Sequence, residues 1–133
     1  IIEGEAHEIF DFKKNLNNDI EIYADVFVKH AVPPEGSKIE NHAEELINRA
    51  GADVVIVTGD GTGHQINMDD LTKVREIVPV GKLAIGSGVD HTNINQYENI
   101  ADILIIGTSF KKDGNVENPV DIDTAKEVID QLK

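Results

Sequence analysis

The chain has 133 residues, no cysteine and a formal net charge of −13. This acidic balance excludes the clustered Lys and Arg that nucleic acid and anionic membrane surfaces require, and without cysteine there is no disulfide framework or thiolate chemistry. No apolar run approaches the roughly 20 residues of a membrane span and no signal-peptide pattern is visible, so we expect a cytoplasmic protein without membrane insertion.

The first part of the chain alternates between helical and strand patterns. Ile1–Leu16 spaces its apolar residues as an amphipathic helix, and Ile20–His30 then alternates as a strand. Ser37 and Glu40 fit a capping box for a second helix, for which Gly51 is the stop. A helix–strand–helix order is therefore predicted before the middle of the chain.

The second part repeats the strand–helix alternation three times. A continuous β-branched run is typical of a strand covered on both faces, and Asn or Asp residues precede the helical patterns as caps. The predicted elements are strand Asp53–Thr58, a helix capped by Asn67 and closed by Pro79, strand Lys82–Ile85, a short helix from near Thr92, strand Ile103–Ile106, and a helix through Leu132 capped by Asp121 or Asp123.

One helix followed by four strand–helix units indicates right-handed βαβ crossovers and a parallel sheet. The chain is enough for one domain, residues 1–133, but falls short of the about 250 residues of a complete (β/α)₈ barrel. Two architectures fit this pattern: half of such a barrel, or an open doubly wound sheet.

Two small-residue turns end the last two predicted strands. These turns are Gly86-Ser87-Gly88 and Gly107-Thr108-Ser109, and Lys111 follows the second. On consecutive parallel strands they lie side by side, and in barrels that position is a common phosphate seat, since glycine opens the backbone N–H groups to a ligand. The alternative is that small residues only make the tight turns that any α/β protein needs.

Asp25 and Lys29 form a second candidate site. They fall on one face of the first predicted strand with Phe27 between them, the face that points into the lumen of a barrel. There they would act as catalytic acid and base or as an electrostatic clamp on the substrate. A structural ion pair is the competing interpretation.

The glycine-rich loop that follows Asp53–Thr58 does not match a nucleotide motif. Its residues Gly59–His64 lack the third glycine of the dinucleotide fingerprint and the GK[ST] of a Walker loop. We interpret it as a loop at the mouth of the site, where Thr58 and Asp60 contact the ligand. No histidine spacing matches a metal motif, so neither a metal nor a cofactor is predicted.

Four blocks of the sequence resemble the BtpA family. They are Ala24–Ala31, Val57-Thr58-Gly59 with Thr62-Gly63, Gly86–Val89, and Gly107–Lys111 with Asn118–Asp121. The resemblance runs essentially end to end. It implies a TIM barrel related to phosphate-binding enzymes of sugar and nucleotide metabolism, of which this chain is the C-terminal half: (βα)₄ with a preceding helix, strands 5–8 and helices 4–8.

Two functions follow from the residues and the resemblance together. The first is an enzyme that binds a small phosphorylated metabolite, a phosphosugar or nucleotide-like compound, at the C-terminal face of the strands. The second is a non-catalytic biogenesis or stability factor of the photosystem I type that acts through a protein partner. For the chain alone, the face carrying Tyr23, Phe27, Val54 and Ile56 is expected to need the N-terminal half of the barrel or a second copy as cover.

Overall fold

The computed structural model describes residues 5–16, 19–28, 32–59 and 66–132. Across these ranges the chain forms an α/β structure of four β-strands and five α-helices in strict alternation. The elements are α1 (Ala6–Leu16), β1 (Tyr23–Asp25), α2 (Ile39–Asn48), β2 (Val54–Val57), α3 (Met68–Ile77), β3 (Leu83–Ile85), α4 (Ile94–Tyr97), β4 (Ile103–Leu104) and α5 (Ile122–Ile129).

The four strands form one parallel sheet in the order β1-β2-β3-β4. The predicted helix–strand alternation is therefore confirmed, although each strand is shorter than predicted. The largest difference is at β1, which ends at Asp25 because the chain leaves the ladder in a bend after one further bond, from the amide of Val26 to the carbonyl of Ile56. An edge strand has one neighbour, so little holds it straight beyond its paired residues.

The hydrophobic core lies between one face of the sheet and the helices. Alternation puts Val55 and Val57 of β2 on the same face as Leu83 and Ile85 of β3, and all four are buried. The helices cover this face with residues from α2, α3, α4 and α5: Ile39, Ala43, Leu71, Val74, Ile94, Tyr97 and Val128. This is the packing expected of βαβ units that all cross on one side of a sheet.

The opposite face of the sheet carries no helix within the described ranges. Tyr23 is 44% exposed there, and Ile105 just beyond β4 is 43% exposed. Val54 and Phe27 were also predicted to be uncovered on this face, and both predictions are wrong. Val54 is buried, and Phe27 packs against the core on the helix side of the sheet. Phe27 changes sides because the bend after Asp25 interrupts the two-residue alternation, and its ring meets that of His42 in α2 edge-on at 5.2 Å.

The helix caps follow the sequence in two of three cases. Asn67 accepts hydrogen bonds from the amides at the start of α3, and Asp121 accepts one from the amide of Thr124 at the start of α5. The prediction of a capping box at Ser37 and Glu40 is wrong. Helix α2 begins only at Ile39, with Lys38 at its cap, because the amide of Ser37 is engaged in a turn with the carbonyl of Pro34.

An aspartate closes the N-terminal end of the sheet between β1 and β2. Asp53 stands directly before β2, and its carboxylate accepts a hydrogen bond from the amide of Ile22, at 2.7 Å, and another from the ammonium of Lys13 in α1. In return the amide of Asp53 donates to the carbonyl of Ile22 at 2.9 Å. Helix, edge strand and second strand are thereby joined at one carboxylate.

A second aspartate does the same between β3 and β4. Asp102 stands directly before β4 and accepts from the amide of Leu83, at 3.0 Å, and from the guanidinium of Arg75 in α3, at 2.7 Å. Its own amide donates to the carbonyl of Leu83 at 2.9 Å. Arg75 also donates to the carbonyls of Val78 and Ile100. Its side chain therefore connects the C-terminal end of α3 to the segment between α4 and β4.

Candidate functional site

The two predicted turns line a common cleft at the C-terminal end of the sheet. Gly86-Ser87-Gly88 follows β3, Gly107-Thr108-Ser109 follows β4, and the cleft between them has a volume of about 480 Å³. This proximity follows from the parallel pairing of β3 with β4, which puts the carboxyl ends of both strands at one edge. The turn after β4 continues as a short 3₁₀ helix, Thr108–Phe110.

A buried asparagine holds the first turn in shape. Asn93 is 1% exposed, and its side-chain amide donates to the carbonyl of Gly88 at 2.7 Å while its oxygen accepts from the amide of Asp90 at 2.8 Å. Gly88 has a φ of +74°, a conformation that side chains other than glycine rarely adopt. The two hydrogen bonds of the buried Asn93 side chain therefore hold the backbone of this turn in place.

Ser109 ties the second turn to the first. Its hydroxyl donates to the carbonyl of Val89, which follows Gly88 directly. Sequence reasoning assigned Ser109 to ligand binding, and the structure gives its proton a partner within the protein. The residue therefore connects the walls of the cleft as well as lining it.

Several donors in the cleft have no partner in the described part of the chain. The hydroxyl oxygen of Ser87 is buried and makes no hydrogen bond with any described residue. The backbone amides of Gly88, Thr108 and Ser109 likewise donate to none of the residues that the structure describes. Buried polar groups in proteins are almost always bonded, so the hydroxyl of Ser87 is an exception, whereas the three amides belong to residues that are exposed or half-buried at the cleft wall.

Sequence reasoning missed several residues that complete the cleft. These are Val89, Asp90, His91, Ile105, Gly114 and Thr124. Asp90 and His91 follow the first turn directly, and their proximity to it was the available signal. Thr124 had none, because it reaches the cleft only after the chain from Lys111 to Val120 folds back through an antiparallel bridge between those two residues.

Asp90 brings a negative charge to the cleft wall. Burial opposes its ionisation, but hydrogen bonds from the hydroxyl and amide of Thr92, at 2.6 and 2.7 Å, together with the nearby His91, outweigh it and hold the pKa of Asp90 below its ordinary value. Lys111, which was expected to add positive charge, is not among the lining residues. The described walls of the cleft therefore carry no Lys or Arg.

A second, smaller cavity of about 220 Å³ lies on the helix-free face of the sheet. It is lined by Asp25, Val28, Ile56, Thr58, Gly86 and Ile105. Asp25, predicted as catalytic with Lys29, and Thr58, predicted as a ligand contact with Asp60, are thus brought together here, and the hydroxyl of Thr58 donates to the carbonyl of Phe27 at 3.3 Å. Lys29 and Asp60 lie outside the described residues.

The described ranges contain no cluster of three His, Asp or Glu side chains able to hold a metal ion. In the same ranges no helix combines the length and the apolar composition that crossing a membrane requires.

The four-stranded parallel sheet and its helices place the chain among the α/β proteins. Within that class, a model of the BtpA family matches residues 1–133 in full. The chain belongs to the BtpA family.

The most similar relatives come mainly from archaea. A protein of Thermococcus kodakarensis is 38% identical over all 133 residues, which are 50% of its own length, and one of Methanocaldococcus jannaschii is 39% identical over 97% of this chain and 48% of its own. The photosystem I biogenesis protein BtpA of Synechocystis is 36% identical over 91% of this chain and 42% of its own length. The chain spans about half the length of the curated relatives it matches.

Proposed function

We propose that this chain binds a small phosphorylated metabolite at the carboxyl ends of β3 and β4. The observation that carries the proposal is a set of donors around the cleft that have no partner among the described residues: the hydroxyl of Ser87 and the amides of Gly88, Thr108 and Ser109. A phosphate group offers three or more acceptor oxygens in a compact tetrahedron, which suits several donors that converge from two adjacent turns.

Recognition at this site rests mainly on dipoles. The described walls carry no Lys or Arg, and beside the carboxylate of Asp90 their basic side chain is that of His91, so oriented N–H and O–H groups have to supply most contacts to the phosphate. The glycines of both turns leave these backbone groups open to close approach. An anion bound in this way needs a rigid cradle, and the hydrogen bonds of Asn93 and Ser109 supply one.

We further propose that the four strands are half of a (β/α)₈ barrel of the phosphate-binding type. Two findings support this: the relatives are twice as long, and the face opposite the helices leaves Tyr23 and Ile105 exposed where a barrel interior would enclose them. The rest of the barrel or a second copy of the chain would then cover this face. Sedimentation of residues 1–133 alone should show association; a stable monomer would favour the open sheet.

The proposed ligand fits an enzyme of the phosphometabolite-processing kind, in which Asp25, and Lys29 beyond the described residues, would act as acid and base. The alternative is a non-catalytic factor that works through a protein partner. That alternative is favoured by the name of the Synechocystis relative and by α1, whose residues Ile9 and Phe12 are 51% and 65% exposed. Phosphorus NMR of candidate ligands incubated with the protein separates the two, since only an enzyme converts them.

Titration of the isotope-labelled protein, made from its complete gene, with inorganic phosphate tests the site. The amide resonances of Gly88, Thr108 and Ser109 should shift first and saturate together. Ser87→Ala should weaken the binding several-fold, because one donor to a charged acceptor is lost. Ser37→Ala is the matched control, since it removes the same hydroxyl from a residue outside the cleft. Shifts confined to other loops would refute the proposal.

A further inference from the structure

We infer that the ligand is a phosphorylated polyol, such as a sugar phosphate, with its phosphate in the cleft and its hydroxyl-bearing part in the cavity beside Asp25. This inference rests on the proposed phosphate site and adds the class and orientation of the molecule bound there. It is carried by the way in which the two cavities adjoin and by the opposite hydrogen-bonding character of their walls.

The two cavities share part of their walls. Gly86 and Ile105 line both the cleft of about 480 Å³ and the cavity of about 220 Å³. At Gly86 the boundary is bare backbone: a Cβ added there would lie 2.6 Å from the Cγ2 of Ile56 and 2.8 Å from that of Thr58. A ligand that crosses from one cavity to the other therefore passes over a glycine, at a point where no side chain fits.

The walls differ in what they offer to a ligand. The cleft presents donors, namely the amides of its two turns and the hydroxyl of Ser87. The smaller cavity presents acceptors: the carboxylate of Asp25, and the oxygen of Thr58, whose proton is already donated to the carbonyl of Phe27. An ionised carboxylate has about four acceptor positions, so a contact within the fold does not exhaust it.

Hydrogen bonding then sets the orientation, since each cavity has one aspartate in its wall and charge does not separate them. The donors of the cleft suit the oxygens of a phosphate, and the oxygens of Asp25 and Thr58 suit a neutral group that donates hydrogen bonds. Hydroxyl groups on a short carbon chain meet this requirement, and the apolar side chains of Val28 and Ile56 complement the carbon atoms. About 220 Å³ is roughly seven times the share of one liquid water molecule, room for a small polyol.

The residues that line the two cavities argue against a nucleotide as the ligand. None of the described wall residues is Phe, Tyr or Trp, so a base would lack the aromatic side chain on which bases commonly stack. The inference is therefore for a phosphorylated polyol without a base, and a nucleotide is an outcome that the test has to discriminate.

The test compares four probes on the protein made from its complete gene: inorganic phosphate, ethyl phosphate, ribose 5-phosphate and AMP. Ribose 5-phosphate should bind about tenfold or more tightly than ethyl phosphate, because only its hydroxyl groups reach the acceptors of the smaller cavity. Asp25→Ala should abolish most of that preference and leave the affinity for inorganic phosphate unchanged within about twofold. Asp130→Ala, an exposed aspartate outside both cavities, is the matched control.

A further variant guards against misfolding as an explanation. Asp25→Asn preserves the shape of the side chain and should lose part of the preference. An equal preference in wild type and Asp25→Ala, or tighter binding of AMP than of ribose 5-phosphate, would overturn the inference. If no phosphate compound binds at all, the proposed function itself fails.

Discussion

The two ends of the sheet treat their polar groups in opposite ways. At the N-terminal end, the carboxylates of Asp53 and Asp102 each accept a backbone amide and a basic side chain. At the C-terminal end, the hydroxyl of Ser87 and the amides of Gly88 and Thr108 are left without partners among the described residues. One end is bonded within the protein, and the other has donors that no described residue accepts from.

The closed end is built twice from the same parts. In both cases an aspartate directly before a strand bonds the residue opposite it on the preceding strand, and the cation comes from the helix before that strand: Lys13 with Ile22 and Asp53, then Arg75 with Leu83 and Asp102. Each arrangement joins two neighbouring parallel strands to the helix that precedes the first of them. The repetition indicates that the N-terminal end serves stability, as the corresponding face does in barrels.

The largest effect that would separate the two ends is expected at Asp102. Asp102→Ala leaves the amide of Leu83 without its partner and the guanidinium of Arg75 without its counter-ion where Arg75 is only 21% exposed, so the free energy of unfolding should fall by about 3 kcal/mol. Asp53→Ala should cost less, about 1–2 kcal/mol, because Asp53 is 35% exposed and water replaces the lost bonds. Denaturant unfolding of both variants measures this; the reverse order would contradict it.

Neither variant should alter phosphate binding at the opposite end of the sheet. Asp53→Ala, which should remain folded, is the cleaner test of this independence. A change of more than about twofold in its phosphate affinity would show that the two ends are energetically coupled, since distant and independent sites behave additively.

The sequence predicts the C-terminal end of the sheet better than the N-terminal end. Alternation and β-branched runs were enough to predict the parallel sheet, and the small residues after β3 and β4 were enough to predict two adjacent turns. The hydrogen bonds of Asp53 and Asp102 were not predicted. Lys13 and Asp53, for example, are 40 residues apart, and only the fold brings them together. Thr124 was missed for the same reason, and Phe27 was misplaced because a bend breaks the alternation on which its assignment depended.

Acid should weaken the closed end of the sheet. Hydrogen bonds from Lys13 and Ile22 lower the pKa of Asp53, and at Asp102 the bonds from Arg75 and Leu83 outweigh burial and lower its pKa as well. A lowered pKa means that these carboxylates stabilise the fold fully above the unfolded value of about 3.9, and that this stability is lost as the pH falls through the folded pKa. The free energy of unfolding should therefore fall below about pH 4, and less steeply in Asp102→Asn. An unchanged slope in that variant would contradict the assignment.

The smallest effect on stability, and the most informative, is expected at the open end. Ser87→Ala removes a buried hydroxyl that has no partner among the described residues, so the free energy of unfolding without ligand should stay the same or rise by up to about 1 kcal/mol. Phosphate affinity should fall several-fold in the same variant. A residue that serves binding rather than folding gives this result: its removal lowers the affinity for phosphate without lowering the free energy of unfolding. Stability and function then compete at one residue. Thermal unfolding with and without phosphate measures both quantities, with Ser37→Ala as the matched control.

If Ser87→Ala instead lowered stability by more than about 1 kcal/mol and left phosphate affinity unchanged, its hydroxyl would belong to the folded framework, and the contrast between the two ends of the sheet would not hold at this residue.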